Sequence, residues 1–421
     1  MLQITYIREK RQEVLEGLLK RNFKETALVD EAIDIDNDRK RLKTELDNLL
    51  AEQNRISKEI GMLFSKGNVI EGNKLKAQVL DLKESSGKLE ERLRETETEL
   101  HEKLLRLPNI PNPSVSAGKS AEDNEIIKES NPNPIDHDVP HWEIMDKFNL
   151  VDFELGNKIS GAGFPVYTGK GAKLQRALIN FFLDEAIAAG YQEYIPPLVV
   201  NEASAYGTGQ LPDKEGQMYF VTEDNLYLIP TAEVPVTNIY RGSMLSEKDL
   251  PVKMVAYTPC FRREAGSYGK DVRGLNRVHQ FDKVEIVQIA HPERSYQILE
   301  EMLGHVEGLL KKLELPYRIL KLCGGDMGFT SALTYDFEVY SGGQQRWLEV
   351  SSVSNFENFQ SNRMQIKFKE DNKPRLVHTL NGSALALPRI LAALLENNFK
   401  EGALNIPKVL HGYTQFNKIT L

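Results

Sequence analysis

The sequence predicts an α+β fold: an N-terminal antiparallel coiled-coil helical hairpin, then an antiparallel sheet flanked by helices. Three observations predict it. Between residues 30 and 107 the text is leucine plus charge, without proline and almost without aromatics, which is helix composition. From 108 to 140 proline, asparagine and small residues take over. Beyond 141, strand-like runs follow one another across short polar turns without a helix between each pair, which favours antiparallel pairing. A chain of 421 residues also exceeds what one hydrophobic core usually organises, so two domains are expected from length alone.

The hairpin rests on periodicity. Leu42, Leu46, Leu49, Gln53, Ile56, Ile60 and Leu63 recur at spacings of 4, 3, 4, 3, 4 and 3, an apolar heptad seam interrupted by one glutamine. Gly67-Asn68 and Gly72-Asn73 supply a break, after which Leu75, Leu82, Leu89, Leu93, Thr96 and Leu100 resume the repeat. Each arm, at about 35 residues and 1.5 Å per residue, is roughly 50 Å long, more than a helix packed on a compact domain requires. Heptads specify association only, so a dimerisation coiled coil and a projecting binding arm both remain open. Lys66, Lys74 and Lys76 near the turn and the cluster Arg39-Lys40-Arg41 favour the second.

Prolines 108, 111, 113, 132, 134 and 140 mark residues 108–140 as an extended linker, because proline fixes φ and disfavours helix in the residue before it. His137 and His141 near Pro140 are read as polar packing rather than metal ligands. Beyond Trp142, Leu174, Leu178, Phe181, Phe182 and Ala186 predict a helix ended by Gly190, and Tyr296, Leu299, Leu303, Val306, Leu310 and Leu313 a second one starting after Pro292. Strands are expected over 252–261, 276–289, 317–322, 333–340, 346–353, 364–368 and 376–380.

Composition narrows the function classes. Lys+Arg 53 against Asp+Glu 61 leaves a net charge of −8, so no global positive field gathers a polyanion and any nucleic-acid partner must meet local basic patches. Two cysteines, Cys260 and Cys323, make neither a disulfide framework nor a Cys-rich zinc site, and zinc is not expected. Without an apolar leader or a run of ~18 apolar residues, no membrane association and a cytoplasmic location are expected. GxxxxGK[ST] and GxGxxG are absent, so P-loop and Rossmann sites have no support.

Three polar groups carry candidate chemistry. Phe261-Arg262-Arg263-Glu264 ends a strand, a Gly- and charge-rich loop follows, and Arg277-Val278-His279-Gln280-Phe281 returns. An arginine on a strand end can fork two donors onto a phosphate or carboxylate, and a phenylalanine opposite can stack on a base. An ordinary hairpin with a surface salt bridge has the same spacing. In Leu348-Glu349-Val350-Ser351-Ser352, a carboxylate and a hydroxyl three residues apart can serve Mg²⁺, a hard ion that completes its shell with substrate phosphates. In Asn381-Gly382-Ser383, followed by a helix with Arg389 in an early turn, an arginine is available to a phosphate.

Together these residues resemble class II aminoacyl-tRNA synthetases: Gly190-Tyr191…Pro196-Pro197, Phe261-Arg262-x-Glu264 with its hairpin, and Gly382…Arg389 look like motifs 1, 2 and 3. Thr231-Ala232-Glu233, Gly207-Thr208-Gly209-Gln210-Leu211-Pro212, Arg277-Val278-His279-Gln280-Phe281 and Glu349-Val350-Ser351-Ser352 narrow the resemblance to the seryl-tRNA synthetase family, over essentially the whole chain. One departure is Ala384-Leu385-Ala386-Leu387-Pro388-Arg389 where the family often reads Gly-Leu-Ala-Val-Gly-Arg. Pro388 predicts a helix that starts a little later or is locally kinked.

The resemblance implies a ligase that forms seryl-adenylate from L-serine and ATP with Mg²⁺, then transfers the seryl group to the 3′ end of tRNA(Ser), with tRNA(Sec) a second acceptor to consider. It implies a homodimer. It assigns 1–107 to tRNA binding, 108–140 to the linker and 141–421 to catalysis. Arg262 and Arg389 are then catalytic, on the α-phosphate with the serine carboxylate and on the γ-phosphate. Thr231, Ala232, Glu233, Arg262, Glu285 and Ser383 form the serine site. Arg262, Arg263, Glu264, Val278, Phe281, Glu349, Val350, Ser351, Ser352 and Arg389 form the ATP site, with Glu349 and Ser352 on Mg²⁺. A carrier-protein-loading relative should lack the arm, and a non-catalytic coiled-coil adaptor has no need of Arg262, Glu264, Glu349 and Arg389.

Overall fold

The computed structural model describes residues 1–130, 138–213, 215–265 and 273–421. Residues 131–134 and His137 of the expected linker, and 266–272 of the loop after Glu264, lie outside the described residues. Met1–Leu19 with Phe23–Pro108 form one compact unit, and Lys20–Asn22 with Asn109–Leu421 a second.

In the first unit two helices of 38 residues, Leu28–Ser65 and Val69–Arg106, pack along each other, each about 57 Å long at 1.5 Å per residue. They bury the predicted seam. Leu42, Leu46, Ile56 and Leu100 are buried, and the other seam positions from Leu49 to Thr96 are half-buried. The turn is shorter than expected: the first helix ends at Ser65 and Asn68 caps the second, its side chain accepting from Glu71 N. Gly67 takes the left-handed conformation (φ +77°), whereas Gly72-Asn73 lies inside the second helix. A Cβ on Gly72 would come within 2.9 Å of the Phe64 ring, so this glycine serves a close approach and not a break. The basic cluster is already engaged. Arg39 and Lys40 pair with the buried Asp36 at 2.8 and 3.1 Å, and Arg41 with Asp38 and Glu45 at 3.1 and 3.2 Å.

The second unit is built on eight strands: β1 Glu125–Ser130, β2 Gln192–Glu193, β3 Val252–Phe261, β4 Gln280–Ala290, β5 Tyr317–Lys321, β6 Leu333–Ser341, β7 Arg346–Asn355 and β8 His378–Ala386. Their order is β1-β5-β6-β7-β8-β4-β3-β2. All neighbours are antiparallel except β2 and β3, which run parallel and are joined by the long connection 194–251 rather than by a tight turn. The expected linker is not a free strap. Asn109 N and Asn112 N donate to Phe329 O and Ala332 O at 3.0 and 2.8 Å, and β1, within the same stretch, is an edge strand paired with β5. Extended backbone with few internal hydrogen bonds finds its partners on a neighbouring surface.

Three strand expectations change. The strand expected from 276 starts at Gln280. Residues 364–368 divide between the end of a short helix, Phe359–Met364, and a strand, Lys367–Glu370, in a separate small sheet. The strand expected to stop at 380 continues to Ala386, so Asn381-Gly382-Ser383 is mid-strand. At Gly382 a Cβ would stand 3.2 Å from Val353 on β7, so glycine lets β8 lie tightly between its neighbours. The following helix, Leu387–Asn398, starts no later for Pro388: the proline sits in its first turn, where a missing N–H costs no intrahelical bond.

One face of the sheet carries the large core, where Val284, Ile286, Phe337 and Val353 meet Leu178 and Phe181, Leu299 and Val306, and Leu391 and Leu395 from three helices. Burying each such side chain contributes roughly 1.5–3 kcal/mol. On the opposite face a smaller cluster of Ala232, Met254, Ala256, Val287 and Phe368 covers only part of the sheet. His141 is buried, its Nδ1 2.8 Å from Glu396 Oε1 and its Nε2 accepting from Leu275 N, the polar packing expected of it.

Candidate active site

Strand alternation builds the site. Along β4, Val284 and Ile286 enter the large core while Phe281, Lys283 and Glu285 face the other way, lining a cavity of about 420 Å³. Register then places Glu285 opposite Ala256 on β3 and Ser383 on β8. Its carboxylate is 1 % exposed and gathers three donors: Lys283 Nζ at 2.6 Å, Asn381 Nδ2 at 3.1 Å and Ser383 Oγ at 3.3 Å. Lys283 Nζ also donates to Thr231 Oγ1 at 2.8 Å.

The neighbouring strand β7 needs an irregularity. Residues three apart on a regular strand point to opposite faces. The β6–β7 register shifts by one residue, with Phe337 opposite Ser351 and Glu338 opposite Glu349, leaving Val350 unpaired. That bulge lets Glu349 and Ser352 line the same cavity. Asp336, opposite Ser352, is pushed well above the usual carboxylate range, first by burial and then by the charge of Glu349.

Most charges in the cavity are paired. Arg277 meets Glu264 at 3.0 Å, Lys283 meets Glu285, and Arg389 NH1 lies 3.4 Å from Glu349 Oε2 while donating to Glu349 O at 2.8 Å. Among the described residues Arg262 has no carboxylate partner. Its Nε donates to Pro230 O at 3.4 Å and its guanidinium lies 5.3 Å from the Phe281 ring centroid. Glu233 is the matching acid, 6 % exposed, at the start of the helix Glu233–Asn238. Burial first, and then the charge of Glu285, push its carboxyl up to about 7.

The structure brings Thr231, Glu233, Arg262, Glu264, Val278, Phe281, Glu285, Glu349, Val350, Ser351, Ser352, Ser383 and Arg389 to this one cavity. It does not bring Ala232, which is buried in the smaller core, or Arg263, whose N–H donates to Gln217 O and whose guanidinium lies 5.9 Å from the Tyr219 ring centroid. Lys283 and Asn276 also line the cavity and were missed, as do Gln210 and Asn381, which lay in segments singled out without being assigned a role. A lysine two residues before a glutamate, and so on the same face of the strand, was the available signal for Lys283. The Glu349 carboxylate and Ser352 hydroxyl are hard oxygen donors open to one cavity, a set that suits Mg²⁺ shared with phosphate oxygens. Among the described residues no group of three or more His, Cys, Asp or Glu forms a metal-binding cluster.

An antiparallel sheet carrying a charged cavity, with arginines at the end of one strand and the start of the last long helix, defines a class II aminoacyl-tRNA synthetase core. Residues 219–398 match the tRNA synthetase class II core domain (G, H, P, S and T), and residues 1–111 match the Seryl-tRNA synthetase N-terminal domain. The chain is 50 % identical to a serine–tRNA ligase of Salinibacter ruber, over 100 % of this chain and 99 % of that one, and 48 % identical to one of Chlorobaculum parvum over 100 % of both. Among solved structures it is similar to the seryl-tRNA synthetase of Pyrococcus horikoshii complexed with ATP, with TM-score 0.91 and 36 % identity, covering 100 % of this chain and 99 % of that one. The chain belongs to the seryl-tRNA synthetase family.

Proposed function

We propose that this chain is a ligase that activates L-serine with ATP and esterifies it to the 3′ end of tRNA(Ser). The observation that carries the reading is the pairing pattern: the cavity leaves one cation, Arg262, and one acid, Glu233, without ionic partners among the described residues. An amino acid has a carboxylate for the first and polar hydrogens for the second.

In the first step a serine carboxylate oxygen attacks the α-phosphorus of ATP and pyrophosphate leaves. In the second, a ribose hydroxyl of the terminal tRNA nucleotide attacks the seryl carbonyl and AMP leaves. Negative charge develops at phosphate, so fixed donors and positioning are most of what the protein supplies. Arg262 holds the α-phosphate and the serine carboxylate together. Phe281 stacks on adenine, Glu264 and Val278 meet its edge, and Arg389 takes the γ-phosphate. Glu349 and Ser352 would hold Mg²⁺, which neutralises phosphate charge when bound. Thr231, Glu233, Glu285 and Ser383 surround the serine side chain and ammonium. A pocket that hydrogen-bonds a substrate hydroxyl rejects the analogue lacking it by as much as ~10⁴ to ~10⁵, so alanine needs no separate editing site.

The helical hairpin is assigned to tRNA, with Lys66 and Lys74 near its turn available to phosphates. Transfer to tRNA(Sec) extends the same chemistry to a second acceptor. A homodimer in the cytoplasm completes the reading, and light scattering that gave a monomer mass would contradict the dimer. Among the described residues no helix is long and apolar enough to cross a membrane. Amino-acid-dependent ATP/pyrophosphate exchange, run across the standard amino acids, tests the activity: serine alone should support it, and robust exchange with another amino acid would overturn the substrate.

A further inference from the structure

Behind Glu233 stands a residue with no part in the chemistry above. Gln360, on the short helix Phe359–Met364, is 1 % exposed, and both ends of its amide are committed. Nε2 donates to Glu233 Oε1 at 2.6 Å and to Thr208 O at 3.0 Å, and Oε1 accepts from Thr379 Oγ1 at 2.7 Å. A flipped amide would set its oxygen against a carboxylate and a carbonyl, so these three partners fix its orientation. One turn on, Arg363 NH1 donates to Tyr206 O and Leu211 O at 3.0 and 3.1 Å. The same helix thereby brackets the segment whose Thr208 carbonyl Gln360 holds and whose Gln210 lines the cavity.

We propose that Gln360 is a positioning residue for amino-acid selection: it occupies one oxygen of Glu233 so that the other is presented to the serine hydroxyl, and it ties the Gln210 segment to the same wall. This rests on the reading of Glu233 as part of the serine pocket. With Oε1 engaged, Oε2 is left without a protein partner among the described residues and can accept the hydroxyl hydrogen. Charge on Glu233 matters to that bond. Burial and Glu285 raise its pKa, while Gln360, Lys283 and Arg262 lower it, so removing the amide donor should favour the protonated form.

The test compares Gln360→Met, close in volume but without a donor, with Glu233→Gln in serine-dependent ATP/pyrophosphate exchange. For Gln360→Met the KM for serine should rise on the order of 10- to 100-fold, the effect of losing a hydrogen bond to a charged group, with KM for ATP within about twofold. The acid limb of kcat/KM for serine should move to higher pH, and preference for serine over alanine should fall. Thr379→Val, which removes the donor that orients the amide, should shift serine KM in the same direction by less, and it decides the matter if Gln360→Met does not fold. If Glu233→Gln raises serine KM while Gln360→Met and Thr379→Val do not, the positioning role is wrong and the pocket reading stands. If Glu233→Gln leaves serine KM unchanged, the pocket reading itself fails. Equal loss for serine and ATP with an unmoved pH profile would make Gln360 merely structural.

Discussion

Replacing Glu285 with alanine removes a carboxylate on which three protein donors converge. The Lys283 ammonium, its side chain 8 % exposed, would keep only Thr231 Oγ1 at 2.8 Å. Breaking a buried ion pair by removing one partner costs roughly 3–5 kcal/mol, because the other charge stays buried and unpaired. An exposed pair contributes only about 0–1 kcal/mol. Stability should therefore fall by about the larger figure. Substrate binding loses less: one hydrogen bond to a charged group is worth roughly 1.5–3 kcal/mol, so kcat/KM for serine should drop at least ~10-fold and discrimination against alanine should erode. The double variant Lys283→Met/Glu285→Ala separates the two effects. With neither charge buried it should regain most of the lost stability, yet it should not regain serine kcat/KM. Urea unfolding of the wild type, both single variants and the double variant, paired with pyrophosphate exchange on each, reads both. The reasoning is refuted if the double variant is as unstable as the two singles summed, or if ATP affinity falls while serine selectivity holds.

Arg262→Ala and Arg389→Ala should each nearly abolish serine-dependent exchange, since each removes a phosphate's charge partner; wild-type exchange in both would remove those roles. Deleting residues 30–107 should leave exchange largely intact and collapse transfer to tRNA, and full-length affinity for tRNA should fall as salt rises. A truncated protein that became monomeric and still charged tRNA would make the hairpin a dimerisation device. Glu307 gives an acid-stability test. Burial raises its carboxyl, but Lys128, Lys311 and Tyr317 outweigh that and hold it at about 2. Because its folded pKa is depressed, its contribution is present above about pH 4.5 and is lost as pH falls towards 2. The urea midpoint of Glu307→Gln should lie below wild type at pH 6 and converge with it near pH 2.

Much of the architecture was legible because its signals are local. The seam from Leu42 to Leu63 predicted which face of a 38-residue helix is covered, and 252–261 was read as a strand with the ends β3 has. Errors fell where a local cue was overruled by a distant neighbour. The strand expected to stop at 380 runs on through Asn381-Gly382-Ser383, whose polar side chains face a cavity and whose glycine accommodates Val353 from another strand. The stretch from 108 reads as a linker, but its amides find carbonyls some two hundred residues away. Gly72-Asn73 reads as a helix break, but the space above that glycine is filled by Phe64.

The sequence by itself determined the helical hairpin, the strand that ends just before Arg262, the strands that carry Glu285 and Glu349, and the residue types from which a phosphate and amino-acid site can be made. These are properties of neighbours two, three and four apart, where geometry repeats every 2 or 3.6 residues. Only the tertiary structure decided which of those residues share a cavity. Glu285 meets Ser383 through the register of two strands separated by almost a hundred residues, and Glu349 joins Ser352 on one face through a bulge at Val350. Lys283 faces the site because it shares a strand face with Phe281 and Glu285. Register and bulges are selected by the packing of whole sheet faces, so no local window of sequence contains them.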